Sequence, residues 1–181
     1  ILHTVLVYSL SVKVFAKMSP LYFFKKIFPA AVFAFTSTSS VATLPVTKEC
    51  CDEMDVHPEV SSFVLPLGAT VNMDGTAIYQ CVAAIFLAKC VGIDLTLTQM
   101  ILIIVTATLA SIGTAGTSGA GMIMLAMVLE AVGIEPTYIG IIYGIDRLFD
   151  MGRTTLNIVG DASCAVCVDY WENKKADKKT A

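Results

Sequence analysis

Residues 110–121 read ASIGTAGTSGAG: four glycines, three alanines, four hydroxyl side chains and one isoleucine. Long apolar runs flank the stretch, MILIIVTATL over 100–109 and MIMLAMVLEAVGI over 122–134. Glycine-rich sequence exposes backbone N–H and C=O groups and ordinarily sits in water. These flanks belong in lipid, where exposed backbone is tolerated only inside protein or against a water-filled cavity. Each flank is only about 10 to 15 residues long, and a span needs about 20. The pattern predicts a re-entrant hairpin, entering the bilayer and returning on the same side. Its tip offers carbonyls to a cation and helix N-termini to an anionic group. Glycine also lets such a tip move as a gate.

Composition agrees with a membrane setting. Of 181 residues, 56% are hydrophobic and 15% charged, with a mean hydropathy of +0.75. A soluble domain carries about 25% charged residues, and a greasy soluble core does not need so many long apolar segments. The formal charge of −3 implies no nucleic-acid partner. The opening ILHTVLVYSL has no basic leader before its apolar run and does not read as a signal peptide. It reads as the inside of a hydrophobic helix, so a fragment of a longer chain is expected.

The order of segments repeats. An apolar run, IFPAAVFAF (27–35), meets a Ser/Thr-rich break, TSTSSVATLPVT (36–47). A second run and then a long helix with a polar centre, NMDG (72–75), follow. The second unit has the same order: apolar run, the opening motif, apolar run, long helix with a polar centre. Neither break carries a charge, whereas ordinary loops outside a membrane would. Paired interrupted segments at corresponding positions of two repeats point to a transporter's binding site. The expected organisation is the end of a transmembrane helix (1–12), linker and re-entrant hairpin one (13–58), a transmembrane helix with the NMDG break (59–94), re-entrant hairpin two (95–134), a last transmembrane helix (135–170) and a charged tail (171–181). The expected fold class is an all-α membrane protein with two re-entrant helical hairpins, two long, partly interrupted transmembrane helices and an inverted-repeat-like core.

The last helix carries Asp146, Asp150, Arg153, Thr154, Asn157 and Asp161. At 100° per residue they share an arc of roughly 100°, with Arg147 pointing elsewhere. Ionisable groups inside a membrane are costly and mark a pathway or binding site. Arg153 offers a fork suited to a carboxylate, and Asp150 could hold an amino group; mutual neutralisation of this pair is the plainer alternative. On the other long helix, Asn72, Asp74 and Thr76 are oxygen ligands beside freed carbonyls, a set for a hard cation. Without a carboxylate cluster, Na⁺ fits better than Ca²⁺.

STSSVATLPVT (37–47), NMDGTAIYQ (72–80), SIGTAGTSGAG (111–121) and DMGRTTLNIVGD (150–161) occur in this order over nearly the whole chain. Together they resemble the dicarboxylate/amino acid:cation symporters, the glutamate transporter family. The resemblance implies the C-terminal transport core: the end of helix six, hairpin one, helix seven, hairpin two as outer gate, and helix eight. It implies an elevator moving against a trimeric scaffold in the plasma membrane, so the expected partners are an acidic amino acid, Na⁺, the lipid bilayer and a homotrimer. It further implies that Arg153 binds a side-chain carboxylate and Asp150 the amino group. Ser39, Ser40, Thr76, Gly116, Thr154 and Asn157 would complete the pocket. One Na⁺ would sit among Gly68, Asn72, Asn157 and Asp161, and a second among carbonyls of Thr70, Ser111, Ile112 and Thr114. A third would use Asp74 and Asn72 with partners in a helix outside this chain. No organic cofactor is implied.

The chain departs from the family at three places. Ser118 stands where relatives often have Pro, and Gln80 where proton-coupled members have Glu. The second Arg, at Thr38 or Met151, is missing. The alternatives are a proton-coupled acidic amino acid or C4-dicarboxylate symporter and a channel-like, anion-conducting member. An aspartyl protease built on Asp74 and Asp150 lacks its Gly-x-Gly-Asp context, so no enzyme is expected. Cys50, Cys51, Cys81, Cys90, Cys164 and Cys167 read as small packing residues, the lone C-x-x-C being weak evidence for metal. No ligand partner is expected near His3 or His57.

Overall fold

In the computed structural model, residues 1–114 and 116–180 are described, with side chains through Asn173. The charges of the expected tail beyond Asn173, including Lys174 and Lys175, lie outside the described side chains. All regular structure among the described residues is helical. A π-helical turn, Thr4–Tyr8, leads into α1 (Ser9–Phe15). Then come α2 (Pro20–Ser37), α3 (Ser40–Asp52), α4 (Pro58–Val71) and α5 (Asp74–Cys90). These are followed by α6 (Leu97–Ser111), α7 (Ala120–Ala131), a 3₁₀ turn at Pro136–Ile139, α8 (Gly140–Tyr143) and α9 (Asp146–Thr180).

Local chemistry sets the boundaries. Thr96 caps α6 by accepting from Gln99 N–H, while the Gln99 side chain bonds back to Thr96 N–H, a reciprocal capping box. Thr38 ends α2 in the left-handed region at φ 53°, and Ser39 caps α3 by accepting from Ala42 N–H. Prolines open α2 and α4, where a missing N–H costs nothing.

Two packed pairs, α2 with α3 and α6 with α7, meet the long helices. One apolar core joins α1, α2, α3, α4 and α9 through Val12, Phe23, Ile27, Leu65 and Ile158. A second joins α5, α6 and α7 through Leu87, Ile103, Leu125 and Leu129. α9 packs on α2, α3, α4 and α5, so its polar face lies where the two halves meet.

The continuous run Pro58–Cys90, 33 residues, is long and apolar enough to cross a membrane. α6 and α7, at 15 and 12 residues, are apolar but short of a span. Large apolar side chains lie exposed along the molecule, among them Phe28, Ile101, Ile104, Leu109, Ile123 and Leu148. A soluble monomer does not leave so much apolar surface in water.

α4 and α5 are separated by Asn72 (φ −91°, ψ 79°) and Met73 (φ −112°, ψ 47°), both outside helical geometry. An unbroken helix would bond Gly75 N–H to the carbonyl four residues back. Instead it donates to Asn157 Oδ1 at 2.8 Å. The break thus turns backbone toward α9. A Cβ on Gly75 would collide with the Arg153 backbone, which cannot swing aside. Gly75→Ala is therefore expected to destabilise the protein by about 1–3 kcal/mol, read as a lowered melting temperature in detergent. An unchanged melting curve would show that the α5–α9 approach has slack.

Candidate substrate and cation site

Three polar features converge: the α2/α3 turn, the α4/α5 break and the α6/α7 tip, all against the polar face of α9. Ser39 Oγ donates to Gly116 O at 2.9 Å, and Val41 N–H donates to the same carbonyl at 3.2 Å. A Cβ on Gly116 would lie 2.7 Å from Ala69 O. Only glycine lets the tip approach both α3 and the end of α4 this closely.

Between them lies a cavity of about 10 Å³, room for one water. Its lining includes Ser40, Thr76, Gly116, Asp150, Arg153, Thr154 and Asn157. Ser39 stands behind Gly116 rather than in the lining. Thr38, Met73, Thr114, Thr117 and Gly121 complete the wall. A larger opening of about 830 Å³ lies beside Ile78, Val82, Phe86 and Leu148. Its walls are almost entirely apolar, so it has little to orient a charged solute.

Arg153 is held from several sides. Its Nε donates to Asp150 Oδ1 at 3.0 Å and its Nη1 to Asp146 Oδ1 at 3.4 Å. Its Cζ lies 4.7 Å from the Tyr79 ring centroid, a cation–π contact. Tyr79 OH in turn donates to Asp146 Oδ1 at 2.7 Å. A Cβ on Gly121 would sit 2.7 Å from Arg153 Cζ, so glycine there leaves the guanidinium its place. Asp150 also accepts from Thr154 Oγ1, Ser118 Oγ and Gly119 N–H at 3.2, 3.3 and 3.1 Å. The positive φ of Gly119, 82°, aims its N–H at that carboxylate.

One helical turn further along, Asp161 is fully buried. Its Oδ1 accepts from Asn72 Nδ2 at 2.8 Å, while Oδ2 has no hydrogen-bond partner among the described residues. Asn72 Nδ2 also reaches Asn157 O at 3.4 Å. A Cβ on Gly68 would meet Asp161 Oδ1 at 2.5 Å. Gly68, Asn72, Asn157 and Asp161 thus lie close together, with the Asn72 amide bridging Asn157 O and Asp161 Oδ1. Asn157 reaches Met73 Sδ at 3.1 Å and Thr76 Oγ1 at 3.3 Å through its amide, tying the cation group to the cavity.

Ser111 and Ile112 lie at the end of α6, and Thr114 begins the tip with its hydroxyl on Ala110 O at 2.8 Å. Thr70 lies in the last turn of α4, one residue beyond the carbonyl that Gly116 approaches. Asp74 Oδ2 accepts from Tyr8 OH at 2.9 Å and pairs with His3 Nε2 at 3.1 Å.

Sequence reading misplaced one side chain, Arg147, and did not foresee the pairing of two histidines. His3 meets Asp74, and His57 Nδ1 meets Asp169 Oδ1 at 2.8 Å, so both histidines have carboxylate partners. Arg147 does not point away: its Nη1 donates to Ser118 Oγ. By helical angle it lies only about 20° past Thr154, and a long side chain covers that. Tyr79, Met73 and Gly121 were missed. Tyr79 falls seven residues after Asn72, two turns along the same face, the one signal that could have drawn attention to it.

The chain matches the model of the sodium:dicarboxylate symporter family over residues 1–171. It belongs to that family and is part of a membrane protein. It is 41% identical over 177 residues to an excitatory amino acid transporter of Caenorhabditis elegans, covering 97% of this chain and 35% of that protein. With excitatory amino acid transporter 3 of Mus musculus it shares 39% identity over 178 residues, 98% of this chain and 34% of the relative. With mouse excitatory amino acid transporter 2 it shares 42% over 165 residues, 91% and 29% respectively. The chain therefore spans about a third of the length of these relatives.

Proposed function

We propose that this chain is the transport core of a secondary active carrier that moves an acidic amino acid, glutamate or aspartate, together with Na⁺. Family membership and the names of the relatives support acidic amino acid transport. The observation that carries cation coupling is the unpartnered Asp161 Oδ2 in a fully buried position. A buried carboxylate oxygen without a partner is costly. A desolvated hard cation seated beside it, with carbonyls of Gly68, Asn72 and Asn157 near, would remove that cost.

In this reading Na⁺ is cargo, and the chain's residues bind and release it. Arg153 takes the substrate side-chain carboxylate and Asp150 its amino group. Ser40, Thr76, Gly116, Thr154 and Asn157 shape the pocket, and Ser39 supports Gly116. Thr70, Ser111, Ile112 and Thr114 supply a second cation position, and Asp74 with Asn72 a third. The pairs α2/α3 and α6/α7 are re-entrant hairpins of an inverted repeat. The α6/α7 tip opens to admit the solute, and the core moves as an elevator against a trimeric scaffold in the plasma membrane. Opening must widen a cavity that is now water-sized and replace Arg153's internal acid partners with the substrate's carboxylate. Cation and solute are linked because Asn157 belongs to both groups.

The test is uptake of labelled L-aspartate by the full-length gene product in proteoliposomes, with and without an inward Na⁺ gradient. Uptake only with Na⁺ is expected; equal uptake without it would overturn the coupling.

Gln80 gives a second prediction. It is fully buried on α5, its amide 3.5 Å from Gly121 O and its Oε1 unpartnered. A neutral amide at this position cannot take up and release a proton. Gln80→Glu is expected to make uptake vary with pH between about 6 and 8, since a carboxyl can bind and release a proton where the amide cannot. Wild-type uptake should be flat across that range. A flat profile in the variant would remove this position from any proton pathway.

A further inference from the structure

We propose that Arg147 is a positioning residue that latches the α6/α7 tip over the cavity, acting through the Ser118 hydroxyl. Its functional consequence rests on the transport reading above. The Ser118 hydroxyl joins three parts of the molecule. It accepts from Arg147 on α9, lies 3.0 Å from Thr38 Oγ1 on the α2/α3 turn, and donates to Asp150 Oδ2 at 3.3 Å. A hydroxyl has one proton and two lone pairs, so these three contacts saturate it. Gly119 N–H adds a fourth tie from the tip to the same Asp150 oxygen.

Arg147 differs from the other partners. The remaining ties between tip and α2/α3 are neutral: Ser39 Oγ and Val41 N–H on Gly116 O. Arg147 donates from a full charge, as Asp150 accepts with one, and charge-assisted bonds are the stronger class. It is exposed, whereas Asp150 and Arg153 are buried, and it does not line the cavity. It therefore holds the tip from outside the cavity, without lining it. The tie exists only while Ser118 lies over Asp150, so it favours the closed arrangement and must break for the tip to lift. The chain has no Arg at Thr38 or Met151, and Arg147 puts a guanidinium at the tip from a different position on α9.

The experiment uses the full-length protein in nanodiscs without substrate. Amide hydrogen exchange of peptides covering residues 112–121 is compared among wild type, R147A, S118A, R147A/S118A and R147K. R147A and S118A are each expected to raise tip exchange about threefold to tenfold. The double variant should go no further, because both remove one interaction, and R147K should recover part of the protection. In proteoliposomes, R147A should raise the KM for aspartate by a similar factor. Its preference for aspartate over a neutral amino acid should stay unchanged. Wild-type exchange in R147A, or effects that simply add in the double variant, would overturn the latch. Absence of aspartate transport in the wild type would instead defeat the transport reading, and the exchange data would still decide the latch.

Discussion

Asp161→Asn should sharply reduce stabilisation of the protein by Na⁺ while leaving the Na⁺-free protein at least as stable as the wild type. The two effects have one cause. Asp161 is fully buried, Asn72 satisfies only its Oδ1, and Oδ2 has no hydrogen-bond partner among the described residues. Without a cation, the wild type carries the cost of a buried, half-satisfied carboxylate. Asparagine keeps the size and an acceptor for the Asn72 amide, and removes the charge. With a cation, the carboxylate supplies the dominant attraction. Losing one partner of a buried charge pair costs about 2–5 kcal/mol, and about 3 kcal/mol corresponds to roughly 100-fold in affinity. The measurement is the melting temperature of the full-length protein titrated with NaCl against choline chloride, since a ligand bound to the folded state raises it by mass action. Wild type should shift at low NaCl, and Asp161→Asn should shift less and only at about 100-fold higher NaCl. A variant that shifts like wild type would remove Asp161 from the cation site. One destabilised in choline would mean that the charge has a partner of its own.

Gly68→Ala tests the same group sterically. The added Cβ would reach Asp161 Oδ1 at 2.5 Å, Cγ at 2.8 Å and Cβ at 3.3 Å. Asp161 must turn, and the Na⁺-dependent shift should shrink although every oxygen ligand remains. An unaltered shift would show that the carboxylate can move without loss of the site.

What was legible in the sequence follows from periodicity and composition. The stripe Asp146–Asp150–Arg153–Asn157–Asp161 is visible because a helix repeats at 3.6 residues, and α9 carries it on its packed face. NMDG announces its own break through poor helix formers, and α4 and α5 part at Asn72 and Met73. The all-helical class followed from the same patterns. Contacts between distant segments were not legible. His3 reaches Asp74 across 71 residues and His57 reaches Asp169 across 112. No local pattern encodes such a pairing; it depends on where α1, α5 and α9 pack. Tyr79 sits in an apolar stretch of α5 that gives it little sequence signature, and its use lies in a ring face and a hydroxyl directed at Arg153 and Asp146. Arg147 was misplaced because angular position locates a Cα, while a long side chain ends several ångströms away.

Arg153→Gln should cost about 100-fold or more in apparent affinity for aspartate while changing that for a neutral amino acid by only a few-fold. Arg153 is buried, and its guanidinium is the one cationic group among the described residues lining the cavity. A substrate carboxylate seated there meets no other positive charge among them. Removing one member of a desolvated charge pair costs about 2–5 kcal/mol, and a neutral solute never forms that pair. Glutamine keeps donors and much of the side-chain length, so the change isolates the charge. The variant also leaves Asp146 and Asp150 without their cation, although Tyr79 OH, Thr154 Oγ1 and Gly119 N–H still donate to them. A fall in melting temperature is therefore expected and must be measured beside uptake. Arg153→Lys separates the contributions further. It restores charge without the planar fork or the stack on Tyr79, so it should recover stability more than substrate affinity. Competition of aspartate and serine for labelled uptake in proteoliposomes gives the ratio directly. An unchanged ratio in Arg153→Gln, in protein that still melts cooperatively, would assign Arg153 to neutralising Asp146 and Asp150 alone, and the acidic selectivity would have to come from elsewhere in the full-length carrier.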